Sequence, residues 1–402
     1  MVKVAVLGYG NIGSGVVTVI QENEKLIEKK IDQEIEVKYV LDLRDFPGDP
    51  MEDKLVHDVN VILEDPEINI VCETMGGVEP AYTFSKKALL AGKSVCTSNK
   101  ELVAAHGAEL LEVARKQNVN YMFEASVGGG IPIIRPLNHS LTPEKIEAIT
   151  GIMNGTTNYM LTKMAKEGCS YEEVLKEAQE KGYAEKNPAA DVEGYDACRK
   201  IAILSSLMCG KTVDYQDIYT EGITKITDKD FKYARQLNMS IKLLAMSKDV
   251  DGGLLAMVAP FMISESHPLF AVNDVFNGIL VHGNMLDDAM FYGRGAGKLP
   301  TASAVVSDVM ECARNLQRNL RVYWTDEKMA MKHVDETSKR FFVRAKADAL
   351  ASIRLAFGMI EKIEVAELPG EFGFITDVMT EKEFHLREQS IEGILGMIRV
   401  EG

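Results

Sequence analysis

The sequence predicts an α/β chain in three parts: a doubly wound parallel sheet at the N-terminus, an α+β middle and a β-α-β-β-α-β tail. Three observations carry that reading. Val2–Leu7 is a continuous apolar run that meets Gly8-Tyr-Gly-Asn-Ile-Gly13 at once, as a parallel strand buried on both faces does before a glycine turn. After about residue 135 the pattern shifts to strand-like segments mixed with amphipathic helices. From Arg340 onward, strand, helix, strand, strand, helix and strand signals follow in the order of a split β-α-β unit.

Composition narrows the function. The 402 residues suffice for two or three domains with sizeable cores, and 46% hydrophobic with 26% charged residues is the profile of an ordinary globular chain. A net charge of −15 opposes nucleic acid as the main partner, although an anionic cofactor needs only a local site. The opening Met-Val-Lys-Val-Ala-Val-Leu-Gly reads as a strand running into a turn rather than a secretory signal. No apolar run approaches the roughly 18 residues of a membrane span. The six cysteines (72, 96, 169, 198, 209 and 312) are scattered without a Cys-x-x-Cys pair, which fits reduced thiols in a cytoplasm.

Taken in order, the first strand and its glycines are followed by a helix carrying Val16, Val17, Val19 and Ile20, so the Gly-x-Gly-x-x-Gly pattern sits between strand and helix as it must. The glycines allow a tight turn, the approach of a pyrophosphate and close helix–strand packing, while the helix N-terminus offers amides to the anion. The pattern predicts a dinucleotide site in a Rossmann-type domain. The second strand, Ile35–Leu41, ends in Asp42-Leu-Arg44-Asp45. An acid there suits the ribose 2′-hydroxyl of NAD and an arginine the 2′-phosphate of NADP; with both present, the strand end does not choose. Val59–Leu63 and Ile68–Cys72 read as the next strands, Tyr82–Ala91 as a helix and Ser94–Thr97 as a further strand. Ser98-Asn-Lys100 follows, where a lysine either faces the ligand crevice or sits solvated in a first helical turn. In Glu124-Ala-Ser-Val-Gly-Gly-Gly130-Ile-Pro the three glycines expose main-chain groups to a cation or an anion, or mark a crossing between domains.

The middle begins with a strand at Ile146–Ile152. Asn154-Gly-Thr-Thr157 then precedes a helix at Tyr159–Ala165, with Thr156 or Thr157 expected as its N-cap. Tyr171–Glu180 is an amphipathic helix, Leu254–Met262 and Gly278–Val281 are strand-like, and Tyr292–Gly297 is a second glycine-rich loop. Pro300–Ala313 reads as a helix of small residues that could pack back on the first domain. In the tail, Arg340–Ala345, Ile360–Glu367, Phe372–Val378 and Ile394–Val400 are the expected strands, with helices at Asp348–Phe357 and Glu381–Arg387.

The stretch from Gly182 to Lys200 holds the densest chemistry. Asp196 and Lys200 are four apart at the start of an apolar helix and share one face, and Glu185 and Asp191 lie in the loop leading in. Such a pair is ordinarily a solvated ion pair. Three carboxylates and a lysine beside a buried helix can also tune a proton donor, because a lysine acts near neutrality only when desolvation or another cation lowers its pKa.

Taken together, the glycine turn, Thr97-Ser-Asn-Lys100, Glu124–Pro132, Gly151-Ile-Met-Asn-Gly-Thr-Thr157-Asn-Tyr, Gly182-Tyr-Ala-Glu185, Asp191-Val-Glu-Gly-Tyr-Asp196-Ala-Cys-Arg-Lys200 and Gly293-Arg-Gly-Ala-Gly297 resemble the homoserine dehydrogenases over about residues 1–330. That resemblance implies NAD(P)H-dependent interconversion of L-aspartate 4-semialdehyde and L-homoserine, a small-molecule amino-acid substrate and a homodimer or dimer-based oligomer. It implies a dinucleotide domain over 1–134 with a return segment near 300–325, a substrate and dimerisation domain over 135–330, and an ACT-like regulatory domain over 338–402. By residue, Lys200 would donate the proton to the aldehyde oxygen, with Lys100 near the nicotinamide and Asp196 beside it. Glu185 and Asp196 would bind homoserine, and Asp191 would support the lysine helix and the substrate site. Gly8, Gly10, Asn11, Ile12, Gly13, Asp42, Arg44, Ser98, Lys100 and Gly297 would hold NADP or NAD, NADP being slightly favoured. Carbonyls of Glu124, Val127, Gly129 and Ile131 would line a monovalent-cation site for an ion such as sodium.

Three departures from that family's pattern stand out. Asn187 replaces the usual Asp in Ala-Glu-x-Asp-Pro, Val281-His-Gly-Asn-Met285 differs from the usual Gly-Asp pattern, and Lys346-Ala-Asp-Ala-Leu350 lacks the Pro-Gly common in effector-binding ACT domains. A dinucleotide-sensing DNA-binding regulator is opposed by the charge and by the absence of a basic helix-turn-helix pattern. An aspartyl-phosphate reductase would need a cysteine nucleophile, and Cys96 and Cys198 have no paired histidine in their motifs.

Overall fold

The computed structural model describes residues 1–250 and 253–401. The chain divides into two compact units, one of Met1–Lys145, Ala202–Tyr215 and Gly293–Met329, the other of Ile146–Ile201, Gln216–Tyr292 and Ala330–Gly402.

The first unit begins β1 (Val2–Leu7), α1 (Asn11–Glu22), α2 (Glu24–Ile31), β2 (Ile35–Leu41), β3 (Leu55–Val56), α3 (Val59–Glu64), β4 (Ile68–Glu73), α4 (Ala81–Leu90), β5 (Ser94–Thr97), α5 (Lys100–Gln117) and β6 (Tyr121–Met122). The strands are all parallel and lie in the order β3-β2-β1-β4-β5-β6, the doubly wound dinucleotide-binding arrangement. Val59–Leu63, expected as a strand, is helical. The Asp58 carboxylate accepts the Asn60 amide at 2.9 Å, and this cap outweighs the β-branched composition of a six-residue segment.

The second unit runs β7 (Ile146–Ile152), α6 (Gly155–Glu167), α7 (Tyr171–Glu180), α8 (Ala189–Val192), α9 (Tyr195–Cys209), β8 (Tyr219–Thr220), α10 (Asp228–Gln236), β9 (Met239–Val250), β10 (Gly253–Ser264), β11 (Phe276–Gly283) and β12 (Asp287–Arg294). Helix α9 is shared out by the division, its last residues counting with the first unit. Helix α6 is capped by Asn154, whose Oδ1 accepts the Thr157 amide at 2.8 Å, not by either threonine. Tyr292–Arg294, expected within a loop, closes β12, and the following glycines lead into α11 (Lys298–Arg314). That helix completes the core of the first unit: Ala302, Val305, Val306 and Val309 are buried with Val4, Val6, Val16 and Ile20. An added Cβ on Gly15 of α1 would lie 3.0 Å from the Ala302 methyl, so glycine there sets the approach of the two helices.

The tail contributes β13 (Ser338–Lys346), α12 (Leu350–Phe357), β14 (Glu371–Ile375), β15 (Met379–Thr380), α13 (Glu381–Glu388) and β16 (Ile394–Glu401). Its strands extend the sheet of the second unit, in the order β12-β11-β7-β9-β10-β16-β13-β14. The expected strand at Ile360–Glu367 is reduced to one bridge, Ile363 to Gly373, where both main-chain bonds form. The alternation at 360–367 brings little apolar surface to one face: Ile360 packs at the edge of the core that Phe341, Phe372, Phe374 and Phe384 make.

Candidate active site

The dinucleotide motif has the geometry its glycines require. Gly8 has φ +89°, in the left-handed region that glycine alone adopts freely. A Cβ on Gly13 would lie 2.0 Å from the Gly8 carbonyl oxygen, while Gly10 faces open space. Helix α1 has no side-chain cap, so its first amides are left for an anion. The Thr74 hydroxyl donates to the Gly8 carbonyl at 2.8 Å and braces the turn from β4. These features fit a pyrophosphate. At the end of β2 the Asp42 carboxylate accepts the Tyr9 amide at 2.9 Å and both Nε and Nη2 of Arg44, also at 2.9 Å. The Arg44 guanidinium holds the Asp42 carboxyl down at about 2, and Arg44 itself is largely exposed. Ser98 and Lys100 lie half-buried at the start of α5, whose cap is Asn99. Gly297, φ +128°, precedes α11.

The glycine-rich loop after β6 is anchored by charge. The Glu124 carboxylate accepts the amides of Ile133 (2.6 Å), Ile134 (2.8 Å) and Arg135 (2.7 Å). Asp308 of α11 accepts the Glu124 amide at 2.9 Å and Nη2 of Arg135 at 2.6 Å, and burial pushes its carboxyl up to about 7. Main-chain bonds within the loop run from Ser126 to Phe123, Gly130 to Arg294 and Ile131 to Gly128. None of these uses the carbonyls of Glu124, Val127, Gly129 or Ile131.

In the second unit the pair read from spacing is real and buried. Lys200 Nζ donates to Asp196 Oδ2 at 2.7 Å and to the Met153 carbonyl at 2.8 Å. Their side chains are 11% and 9% exposed, so the pair is shielded but not sealed. These bonds use two of the three ammonium protons. Asn154, in the turn between β7 and α6, donates through Nδ2 to Asp191 Oδ1 (2.7 Å) and to Asp196 Oδ2 (2.9 Å). The amide thus ties α8 and α9 together while its oxygen caps α6. Glu185 stands apart: its main-chain carbonyl accepts Gln179 Nε2 at 3.0 Å and its side chain is exposed. Sequence reasoning assigned no role to Asn154, although the residue lies within the Gly151–Tyr159 stretch it had singled out. Its only sequence signal was a cap-forming residue between a strand and a helix.

Known proteins supply the family. The family described as "Homoserine dehydrogenase, NAD binding domain" matches residues 8–124, and "Homoserine dehydrogenase" matches residues 132–310. The homoserine dehydrogenase of Bacillus subtilis is 41% identical over 320 residues, covering 79% of this chain and 74% of that one. That of Synechocystis is 46% identical over 317 residues, covering 77% and 72%. The chain belongs to the homoserine dehydrogenase family. The crystal structure of a homoserine dehydrogenase from Thiobacillus denitrificans matches with a TM-score of 0.91 at 33% identity, covering 100% of this chain and 98% of that one. A hyperthermophilic archaeal homoserine dehydrogenase mutant in complex with NADPH matches 77% of this chain and 97% of that one, with a TM-score of 0.67 at 27% identity. The reaction of this chain is that of the family, the nicotinamide-dependent interconversion of L-aspartate 4-semialdehyde and L-homoserine. No helix among the described residues is long and apolar enough to cross a membrane.

Proposed function

We propose that Lys200 is the proton donor to the aldehyde oxygen in reduction and the acceptor in oxidation. The observation that carries this is the Lys200 ammonium, buried between the Met153 carbonyl and Asp196, with one proton outside those bonds. A bound nicotinamide supplies the hydride. Asp196 fixes the ammonium, and Asn154 fixes Asp196. Asp191, Asp196 and the exposed Glu185 offer negative charge to the substrate's ammonium group. Lys100, heading α5, serves the coenzyme side together with Ser98, Gly8, Gly10, Asn11, Ile12, Gly13 and Gly297.

The favoured coenzyme is NADP. Asp42 accepts the Tyr9 amide and both Nε and Nη2 of Arg44, whereas Arg44 is exposed and its Nη1 lies outside those bonds and can meet a 2′-phosphate. The carbonyls of Glu124, Val127, Gly129 and Ile131 hold a monovalent cation such as sodium, which steadies the loop. The boundaries read from the sequence serve as functional domains: 1–134 with its return segment for coenzyme, 135–330 for substrate and dimerisation, and 338–402 for regulation. The strand order β16-β13-β14 and helices α12 and α13 support an ACT-like reading of the tail. A homodimer is supported by the outer strand β12 and its hairpin, where Met285, Met290 and Tyr292 are exposed. A cytoplasmic setting is supported by six free cysteines.

The test follows homoserine oxidation through coenzyme absorbance with NADP and with NAD, in wild type and Lys200→Ala. Turnover removed by the substitution in a folded protein is the expected result. Turnover retained in Lys200→Ala would move the proton transfer elsewhere.

A further inference from the structure

Glu73 is fully buried at the carboxyl end of β4 and has no part in the reading above. Its Oε2 accepts the Thr97 hydroxyl at 2.5 Å and its Oε1 accepts the Met75 amide at 2.8 Å. Thr97, also fully buried, accepts the Asn99 amide at 2.9 Å. Asn99 then donates from Nδ2 to the Gly77 carbonyl at 2.6 Å and accepts the Leu102 amide through Oδ1 at 3.1 Å, capping α5. The chain of bonds has a direction. An ionised carboxylate only accepts, so the Thr97 hydroxyl must donate to it, which leaves the Thr97 lone pairs for the Asn99 amide. The chain crosses from the end of β4 to the end of β5 and stops at the residue before Lys100.

We infer that Glu73 is a positioning residue: through Thr97 and Asn99 it fixes the direction of the α5 N-terminus, and with it the placement of Ser98 and Lys100 toward the coenzyme. The inference rests on the coenzyme role proposed for Ser98 and Lys100. A carboxylate is a costly way to fill a buried site, since burial pushes the Glu73 carboxyl up to about 7 against the bonds from Thr97 and Met75. A purely space-filling position would take an apolar residue. Here the two carboxyl oxygens meet two separate partners, Thr97 and Met75, and neither an amide with its single oxygen nor a methyl group can replace that pair.

The test uses the full chain with Glu73→Gln, Thr97→Val, Thr97→Ser and Lys100→Ala. Affinity for NADPH is read by its fluorescence, beside kcat, KM for homoserine at saturating coenzyme, and Tm. Glu73→Gln and Thr97→Val should each weaken NADPH binding by about tenfold, the loss of one hydrogen bond to a charged group, while Thr97→Ser stays within about twofold. The Glu73→Gln/Thr97→Val pair should be no weaker than the worse single variant, and KM for homoserine should hold. If Glu73→Gln does not fold, Thr97→Val alone decides. Wild-type NADPH affinity in folded Thr97→Val, additive losses in the pair, or Thr97→Ser as impaired as Thr97→Val would overturn the inference. A lowered Tm with NADPH affinity unchanged would reduce Glu73 to a structural staple and overturn it too. Lys100→Ala separates the two levels: unchanged affinity and kcat there sink the Lys100 role itself, and the inference with it. Impaired Lys100→Ala beside unaffected Glu73→Gln and Thr97→Val would sink the Glu73 route alone.

Discussion

Lys200 and Arg399 are both cations buried against carboxylates in the second unit, yet they are wired differently. Arg399 on β16 donates through Nε to Glu381 (3.0 Å), through Nη1 to Glu221 (2.6 Å) and through Nη2 to the Tyr219 hydroxyl (3.0 Å), with a further Nη2 bond to Glu381. Arg399 and Glu381 are each 1% exposed, and Lys339 approaches Glu381 from β13 at 3.9 Å. The guanidinium never releases a proton and its fork is filled, so the cluster holds β16, α13 and β8 together and does no chemistry. Lys200 is a point donor with one neighbouring acid, one carbonyl and a proton to spare. Burial and pairing alone therefore do not mark a reactive group. What separates these two is an ionisable proton left outside the bonds, beside a side that is not sealed.

Exchanging the two losses is the strongest way to break this comparison. Lys200→Ala should lower kcat by about 10²–10⁴-fold, the usual weight of general acid–base catalysis, with a smaller loss of stability than the arginine substitution because Asp196 keeps its bond from Asn154. Arg399→Ala should do the reverse, costing about 3–5 kcal/mol in urea unfolding because Glu381 is left buried and unpaired, while the folded fraction keeps its turnover. Loss of turnover in Arg399→Ala at full stability would erase the distinction.

Asn154→Ala sharpens it, since that residue serves both fold and chemistry. Removing the α6 cap should cost about 1 kcal/mol of stability. Releasing Asp191 and Asp196 should lower kcat by about tenfold, read by steady-state kinetics, the weight of one hydrogen bond to a charged group.

Lys242 of β9 adds a third buried cation, bonded to neutral oxygens: the Val272 carbonyl at 2.5 Å and Asn273 Oδ1 at 3.0 Å. Burial, helped by Lys166 and opposed by Asp274, lowers its pKa to about 8. The native group thus loses its proton near pH 8 and the unfolded one near 10.5, so between those values the unfolded chain binds more protons and stability rises with pH. The rise should be on the order of 1–3 kcal/mol in urea midpoints converted to free energy, and Lys242→Met should flatten it. Stability that stays flat across this window in wild type would put Lys242 with Arg399, as a cation whose charge the fold supports.

The smallest effect belongs to an exposed cation. Arg44→Ala should raise KM for NADP by about tenfold and leave KM for NAD within about twofold, as the loss of one phosphate contact at a solvated site does. Equal changes for both coenzymes would remove Arg44 from the discrimination.

Much of this was legible in the chain because it is local. The Gly8–Gly13 turn, the doubly wound order of the first unit and the Asp196–Lys200 pair all follow from spacings of a few residues. Arg399 was not legible: its partners stand 18 and 178 residues away, and no periodicity ties Glu221 to β16. Asn154 was half legible, as a residue in a marked stretch whose two acceptors come from elsewhere in the chain. The misread elements, Val59–Leu63 and Ile360–Glu367, are short segments where one capping carboxylate or a weak apolar face outweighed the residue types. Glu73 lies just past the strand expected at Ile68–Cys72 and gave no signal of its own there, because its partner Thr97 stands 24 residues on.

Helix α11 has a consequence for how the chain comes to be folded. The apolar face of α1 and the flank of β1 find Ala302, Val305, Val306 and Val309 only after some 280 further residues have been made, about 14 to 56 seconds of synthesis at ordinary elongation rates. Until then the nascent sheet carries an uncovered patch on the ribosome, a natural stopping place for a chaperone. A release of residues 1–145 alone should yield an aggregating fragment, and adding Lys298–Arg314 in trans should restore its solubility.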